Sequence, residues 1–182
     1  MHEKTLSSKT VFTGRIFRVE TLEVQLEDGR TAYREVVRHP GAVAVLARRP
    51  DGRFLFVRQF RVAADRQMLE IVAGILEPGE DPEAAARREL REETGYVAVS
   101  MRPMGAVRPS PGYVDETIRL FYADVGAEAG PTDLDADERV QVVPLTAAEF
   151  RDMIRRGEIE DAKTLGAWTI HEASLRIGGS GA

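Results

Sequence analysis

An acidic stretch in the middle of the chain contains the residues best suited to chemistry. Glu89, Glu92 and Glu93 are spaced so that a helix would place all three carboxylates on one side. Glu80 and Glu83 add negative charge just upstream. Like charges at helical spacing repel each other by about 0.2–0.5 kcal/mol per pair. A cluster this dense therefore requires a compensating interaction.

Two interpretations of this cluster differ in what compensates the charge. Carboxylates are hard oxygen ligands of the kind that Mg²⁺ takes at phosphoryl-transfer sites, where water and substrate phosphate complete the coordination. Alternatively, the cluster is a solvated helix face whose charges are paired by arginines, for example Arg88 with Glu92. The spacing alone leaves both interpretations open.

Local signals predict the helix that would carry the cluster. Asp81 is a favourable N-cap, Pro82 suits the first helical position and Gly95 suits the position just beyond the last turn. Residues 84–86 are all alanine, which favours helix. We therefore expect a helix of about three to four turns between Asp81 and Gly95.

Strand-like patterns precede and follow this helix. Apolar and polar residues alternate over 16–26, and 31–38 supplies a return strand after a turn. Residues 42–47 are apolar enough to be buried on both faces, and 54–60 follow a second turn. We interpret these segments as a meander of at least four strands. Later patterns predict strands at 97–107, 117–125 and 140–143, then helices at 147–156 and 162–177.

The composition limits the class of protein. A chain of 182 residues that is 43% hydrophobic has enough apolar side chains for one well-buried core. Its net charge of −5 lacks the basic excess that nucleic-acid binding requires, so no nucleic-acid partner is expected. The absence of cysteine excludes disulfides and fits a cytoplasmic protein. No segment is apolar and long enough for a signal peptide or a membrane span, so no membrane partner is expected.

The acidic cluster belongs to a longer motif. Gly74, Glu80, the run Arg-Glu-Leu-Arg-Glu-Glu at 88–93, Gly95 and Tyr96 resemble the Nudix box, G-x5-E-x7-R-E-U-x-E-E-x-G-U, where U is a bulky apolar residue. Every fixed position matches, and only Tyr96 stands where an aliphatic residue is usual. This resemblance implies an enzyme that hydrolyses a diphosphate bond, and it favours the metal site over the solvated helix face.

The resemblance implies roles for individual residues. Glu89 and Glu93 would be the main ligands of Mg²⁺, for which Mn²⁺ could substitute, and Glu92 would be a further ligand. The backbone carbonyl of Ala73 would also ligate metal. Arg88 would orient Glu89 and so contribute to catalysis. A bound metal would neutralise phosphate charge and lower the pKa of a water.

The catalytic base is expected outside the box. In similar enzymes it is a glutamate on a loop that precedes a late strand. The acidic loop 132–138 precedes the strand predicted at 140–143, which makes Glu138 the candidate, with Asp137 and Glu116 as alternatives. A run of loop acids is also an ordinary solvated surface, so this assignment depends on the tertiary structure.

The segments that flank the box resemble the ADP-ribose pyrophosphatase branch of the Nudix family. These segments are residues 38–43, 59–61 and 69–74, and Pro109 or Pro111 lies where that branch usually has a proline. The resemblance implies hydrolysis of ADP-ribose to AMP and ribose 5-phosphate by a metal-activated water. The alternatives are another nucleoside diphosphate derivative, such as a nucleoside diphosphate sugar or a dinucleotide polyphosphate, and a non-catalytic nucleotide-sensing domain.

Such a substrate needs cations for the diphosphate and an apolar or aromatic surface for the base. Arg58, Arg61 and Arg108 are the candidate cations. The candidate stacking residues are Phe17, Tyr33 and Tyr113. Each of these aromatic residues can equally be ordinary packing.

Several polar residues have two interpretations. Glu70 either meets the substrate or a neighbouring subunit's groups, or forms a strand-end ion pair. Glu116, after the turn at 111–112, is a candidate for contact with substrate, metal or water. His39 and His171 have no acidic or His partner at ligand spacing and are expected to be structural. Asp161 is a plausible cap of the last helix.

The order of strands, helix, strands and helices predicts an α/β fold. The resemblance specifies a Nudix-type α/β/α sandwich with a mixed sheet and an N-terminal antiparallel strand extension. We expect this extension at 1–40, the hydrolase domain at 41–177 and a flexible tail at 178–182. Members of this branch are commonly homodimers, so the extension is expected to form a dimer.

Overall fold

The computed structural model describes residues 2–134 and 138–178 and divides into two compact units. The larger unit comprises Ala42–Val107 and Ile118–Ala182, and the smaller comprises Met1–Gly41 and Arg108–Thr117. The segment Arg108–Thr117, which the sequence analysis put in the hydrolase domain, therefore groups with the N-terminal strands. Of the predicted tail, Gly178 is the last residue of a helix and residues 179–182 lie outside the described part.

The smaller unit contains a three-stranded antiparallel sheet in the order β1-β2-β3, whose strands are β1 (Lys4–Thr13), β2 (Arg18–Gln25) and β3 (Thr31–Arg38). A turn at Gly29, with φ of 84°, returns the chain and sets Gln25 opposite Thr31. Strand β3 belongs to this sheet and β4 to the sheet of the larger unit, so the predicted continuous meander is wrong. Alternation and turns identify strands but not which strands pair, because pairing depends on distant contacts.

The segment Arg108–Thr117 is held on β3 by backbone and side-chain bonds. The Val37 amide donates to the Tyr113 carbonyl (2.7 Å), and the Asp115 amide donates to the Val37 carbonyl (3.1 Å). The Asp115 carboxylate accepts from the His39 amide (2.8 Å) and from Arg38 Nη1 (3.2 Å). These bonds satisfy backbone groups that no strand neighbour would otherwise reach.

The larger unit contains a seven-stranded mixed sheet in the order β10-β5-β4-β9-β8, with β6 paired to β5 and β7 paired to β4. Its strands are β4 (Ala42–Arg48), β5 (Phe54–Arg61), β6 (Arg66–Glu70), β7 (Val72–Ile75), β8 (Ala98–Val107), β9 (Ile118–Val125) and β10 (Val140–Leu145). Strands β4 and β9 run parallel, and the other pairs are antiparallel. The prediction of a mixed sheet is confirmed. Strands β6 and β7 were not predicted as separate elements.

The helices of the larger unit are α1 (Pro82–Thr94), α2 (Ala147–Arg155) and α3 (Ala162–Gly178). Alternate residues of the central strand β4 face two different cores. Leu46 packs in a cluster with Phe150 of α2 and Trp168 of α3, whereas Val45 packs in a cluster with Leu90 of α1. The continuous apolar run of β4 therefore has both faces covered by helices, as predicted, and the α/β/α sandwich is confirmed.

Among the described helices, none is long and apolar enough to cross a membrane.

Candidate active site

Helix α1 begins and ends at the predicted residues. The Asp81 carboxylate accepts from the amides of Glu83 and Ala84, both at 3.0 Å, and satisfies two donors of the first turn. At the other end Gly95 has φ of 72°, and its amide donates to the Arg91 carbonyl. Local capping thus sets the position of every carboxylate on the helix.

The first glycine of the box allows Glu89 to approach the preceding strand. A Cβ added to Gly74 would lie 1.9 Å from Glu89 Cδ and 2.0 Å from Glu89 Oε1, well inside van der Waals contact. The Glu89 carboxylate therefore lies against the backbone at the end of β7, next to Ala73. Any side chain at residue 74 would displace the carboxylate.

Arg88 is at the centre of the carboxylate cluster. Its Nε and Nη2 donate to the two oxygens of Glu80 at 2.9 and 3.0 Å, a bidentate pair. Its Nη1 donates to Glu89 Oε1 (2.7 Å) and to Glu92 Oε2 (3.0 Å). One guanidinium thus orients three carboxylates, which includes the role that the sequence analysis expected toward Glu89. The predicted Arg88 to Glu92 pair is also present.

Glu93 is buried but lacks a comparable partner. Its residue is 5% exposed, and its Oε2 has no hydrogen-bond partner in the part of the chain that the structure describes. Desolvation, with the nearby charges of Glu89 and Glu138, raises the pKa of Glu93 to about 8, although Arg61 and Lys163 oppose this rise. Burial also raises the pKa of Glu89, despite its bonds to Arg88.

These residues fit a divalent cation. A buried carboxylate with an unpartnered oxygen, beside two further carboxylates, is a place where negative charge is unfavourable until a cation neutralises it. Within residues 2–134 and 138–178, no three His, Asp or Glu side chains are already grouped at metal-binding geometry. Arg88 donates to only one oxygen of Glu89 and one of Glu92, so a cation would bind these carboxylates through the other oxygen of each.

The charge of Glu138 contributes to the raised pKa of both Glu89 and Glu93. Two bonds dock the preceding loop onto the end of α1. The Gly130 amide donates to the Gly95 carbonyl (2.8 Å), and the Asp133 amide donates to the Glu92 carbonyl (2.9 Å).

Gly95 makes this docking sterically feasible. A Cβ on Gly95 would lie 2.1 Å from the Gly130 carbonyl oxygen. The last glycine of the box thus ends α1 and also admits the loop toward Glu138. The alternative base Asp137 lies outside the described residues.

The predicted residues Arg61 and Glu70 form a pair. Arg61 Nε and Nη2 donate to the two oxygens of Glu70, both at 2.7 Å. Glu70 is 1% exposed and also accepts from Lys163 Nζ, which donates in turn to Asp161 (3.0 Å). Of the two interpretations of Glu70, the geometry favours the ion pair. Asp161 also caps α3 through the Thr164 amide (3.0 Å).

The other substrate candidates are divided between the units. Arg58 is partly buried on β5 of the larger unit and has no acidic partner within the described residues. Arg108, Tyr113 and Glu116 lie in the smaller unit, on the segment attached to β3. Tyr113 is exposed there.

The remaining aromatic and histidine candidates have ordinary packing neighbours. Phe17 and Tyr33 are exposed in the smaller unit, and Phe17 packs against Phe12 with ring centroids 5.8 Å apart. His171 is buried in an aromatic cluster and stacks on Tyr122 at 5.4 Å. These contacts give none of them a role in the carboxylate cluster.

His39 has no acidic partner close by in the sequence, but it has one in the folded structure. His39 Nδ1 lies 3.6 Å from a Glu116 oxygen and accepts from the Gly41 amide at 3.1 Å. The acidic neighbour comes from a segment far along the chain. Spacing along the sequence therefore could not reveal it.

Sequence reasoning missed Lys163 and Gly130. In the sequence Lys163 is a lone lysine at the start of a predicted helix, which resembles a surface charge. Its burial is decided by Glu70, which lies on a distant strand. Gly130 contributes only backbone atoms, so its residue type carried no signal.

Comparisons with known proteins agree with the motif. Residues 37–165 match the family model described as NUDIX domain, and residues 3–37 match the model described as nucleoside diphosphate sugar hydrolase N-terminal domain. Because the first match covers well over half of the chain, this protein belongs to the Nudix family. The expectation of a Nudix hydrolase is confirmed.

Individual relatives resemble almost the whole chain. An ADP-ribose pyrophosphatase of Bacillus subtilis is 40% identical over 177 residues, which is 97% of this chain and 95% of that protein. A methanol dehydrogenase activator of Bacillus methanolicus is 40% identical over 164 residues, covering 90% of this chain and 89% of the relative. The crystal structure of an ADP compounds hydrolase superposes with a TM-score of 0.82 at 24% identity and covers 98% of this chain and 97% of that one. This last likeness shows the fold alone.

Proposed function

We propose that this protein hydrolyses the diphosphate bond of ADP-ribose to AMP and ribose 5-phosphate in the presence of Mg²⁺. The observation that carries the proposal is Glu93, a buried carboxylate with an unpartnered oxygen beside Glu89 and Glu138. Such a group is unfavourable in a purely structural role and suits a cation-dependent site. The similarity to an ADP-ribose pyrophosphatase over nearly the full chain supports the choice of substrate.

In this proposal the side chains of the site divide the work. Glu89, Glu92, Glu93 and the Ala73 carbonyl would hold Mg²⁺ or Mn²⁺, which when bound neutralises phosphate charge and acidifies water. Arg88 keeps Glu89 and Glu92 turned toward the site, because it donates to one oxygen of each.

Two further groups act on the substrate and the attacking water. Arg61 offers a guanidinium to the diphosphate, and Arg58 adds a second cation on the same strand. Glu138 accepts the proton of the water that attacks phosphorus. The substrate contacts predicted for Arg108, Tyr113 and Glu116 stay predictions.

A substrate panel tests the proposal directly. Purified protein with Mg²⁺ is offered ADP-ribose, GDP-mannose, a diadenosine polyphosphate and a nucleoside triphosphate, and the products are separated by chromatography. We expect the highest kcat/KM for ADP-ribose, with AMP and ribose 5-phosphate as products. A higher kcat/KM for another compound would contradict the substrate assignment, and tight binding without turnover under any divalent metal would contradict the activity.

The metal requirement has its own test. Treatment with a chelator is expected to abolish turnover, and added Mg²⁺ or Mn²⁺ to restore it. Full activity in protein shown to be free of divalent metal would contradict the assignment of the four ligands.

A second substrate class is favoured by one observation. Residues 3–37 match the family model described as nucleoside diphosphate sugar hydrolase N-terminal domain, so a nucleoside diphosphate sugar is the alternative substrate. The GDP-mannose arm of the panel distinguishes the two because its products are GMP and mannose 1-phosphate.

We also propose that the protein is a homodimer formed through the sheet of the smaller unit. Support comes from apolar side chains on and beside β1 that are half exposed, namely Leu6, Val11, Phe12, Ile16 and Phe17. Light scattering of wild type and Phe12→Ser tests this proposal. A shift toward monomer is expected in the variant, and a monomeric wild type would contradict the proposal.

The cytoplasmic location stays a prediction, which cell fractionation tests.

A further inference from the structure

A network of four charged side chains, of which two are buried, connects strands β5 and β6 to the start of helix α3. The two cations are Arg61 and Lys163, and the two anions are Glu70 and Asp161, so the charges balance. Glu70 and Lys163 are both at most 9% exposed. Removing Glu70 would leave the buried Lys163 with only Asp161, and removing Lys163 would leave the buried Glu70 with only Arg61.

Within this network the Glu70 carboxylate is shared. Its Oε1 accepts from Arg61 Nε, and its Oε2 accepts from both Arg61 Nη2 and Lys163 Nζ. A bidentate pair fixes the plane of a guanidinium, and the lysine fixes the carboxylate that makes the pair. Lys163 thereby restrains Arg61 without touching it.

The Nη1 edge of the Arg61 guanidinium is available to a ligand. Its Nη1 has no acceptor among residues 2–134 and 138–178, and its side chain is 41% exposed. The charge of Arg61, and to a smaller extent that of Lys163, lowers the pKa of Glu93. A guanidinium oriented in this way can direct one edge at an anionic group beside the carboxylate cluster.

We infer that Lys163 is a positioning residue that holds the Arg61 guanidinium, through Glu70, in the orientation that receives the substrate diphosphate. This inference rests on the proposed function, in which Arg61 contacts the diphosphate. It assigns to α3 a role at the site that its own sequence does not suggest. Lys163 itself contacts neither the substrate nor the attacking water.

The test measures KM and kcat separately for ADP-ribose. Lys163→Met keeps the length of the side chain and removes its charge. We expect its KM to rise about tenfold or more, which corresponds to the loss of one well-placed charged hydrogen bond, with kcat within about threefold of wild type. Lys163→Arg restores a cation beside Glu70 and is expected to recover most of the lost affinity.

A double variant separates positioning from a general structural role. In an Arg61→Ala background, Lys163→Met is expected to raise KM no further, because its effect passes through Arg61. Independent, additive effects would overturn the inference. Arg66→Met is the matched control, because it also removes one positive charge but breaks only an exposed ion pair with Glu160. Its KM should stay within about twofold of wild type.

Folding and function are checked in the same series. If thermal melting shows that Lys163→Met does not fold, Glu70→Gln/Lys163→Met replaces it, because this variant removes one charge of each sign and is expected to show the same rise in KM. An active wild type with unchanged KM in the folded Lys163 variants overturns only the positioning role. A wild type inactive on every diphosphate tested contradicts the proposed function instead.

Discussion

Glu93 and Glu70 are both buried glutamates of the larger unit, yet their surroundings have opposite effects. Desolvation raises the pKa of each. At Glu93 the charges of Glu89 and Glu138 act more strongly than those of Arg61 and Lys163, so the pKa rises further, to about 8. At Glu70 the hydrogen bonds and charges of Arg61 and Lys163 outweigh desolvation, and the pKa is lowered.

This difference distinguishes a glutamate suited to binding a ligand, Glu93, from a glutamate that stabilises the fold, Glu70. The charge of Glu70 is compensated within the protein, so it stabilises the fold and orients its neighbours. The charge of Glu93 is less well compensated within the described residues, so the protonated form is favoured without a ligand and a bound cation would favour the carboxylate. Burial alone would not distinguish the two, because the surrounding charges decide.

The largest effect is expected when Glu93 is neutralised. Glu93→Gln keeps the shape of the side chain and removes the charge that a cation would need, so kcat/KM with Mg²⁺ should fall by about a thousandfold. The melting temperature should stay equal or rise, because buried Glu93 must either bind a proton or carry an unfavourable charge and glutamine does neither. Steady-state kinetics and calorimetry measure both. Glu83→Gln, an exposed change on the same helix, is the control, and near wild-type activity in Glu93→Gln would refute its assignment.

Neutralising Glu70 should have the opposite pattern. Glu70→Gln leaves Arg61 and Lys163 without their shared anion, so the free energy of unfolding should fall by about 3 kcal/mol. Urea denaturation measures this loss. In Glu83→Gln, where an exposed pair with Arg87 is removed, the loss should stay below about 1 kcal/mol. Equal losses in the two variants would mean that the Glu70 network does not stabilise the fold.

The loop near Glu93 can be displaced without changing any charge. Gly95→Ala introduces both a strained backbone and a clash with the Gly130 carbonyl, so it should destabilise the protein and lower kcat. Gly157→Ala is closely matched, since Gly157 has φ of 71° and open space around it. We expect Gly95→Ala to cost at least about 1 kcal/mol more than Gly157→Ala in urea denaturation. Identical losses would exclude a role for loop docking.

The smallest effect concerns acid stability. Because the pKa of Glu70 in the folded protein lies below the unfolded value of about 4.3, its stabilisation is complete above that pH. It is lost as the pH falls through the folded pKa. The difference in unfolding free energy between wild type and Glu70→Gln should therefore persist at about pH 5 and shrink toward about pH 3. A difference that is constant over this range would contradict the lowered pKa.

Features determined by neighbouring residues could be predicted from the sequence. Helix α1 lies between Asp81 and Gly95 because capping depends on side chains within a few residues. Burial of β4 on both faces follows from its continuous apolar run. Once the helix was predicted, its periodicity placed Glu89, Glu92 and Glu93 on one side. The class of enzyme could also be identified from the box, because the residues of the box lie close together in the sequence.

Only the tertiary structure decided which distant groups meet. The predicted meander failed because β3 and β4 belong to different sheets, and strand pairing is not a local property. Lys163 and Glu70 lie 93 residues apart in sequence, and neither residue type reveals that the other is its partner. The sequence by itself determined the helix and its carboxylates, since helical periodicity places them. Folding decided that cations would compensate the charge of Glu70 but not that of Glu93, because the charges near each residue come from distant segments of the chain.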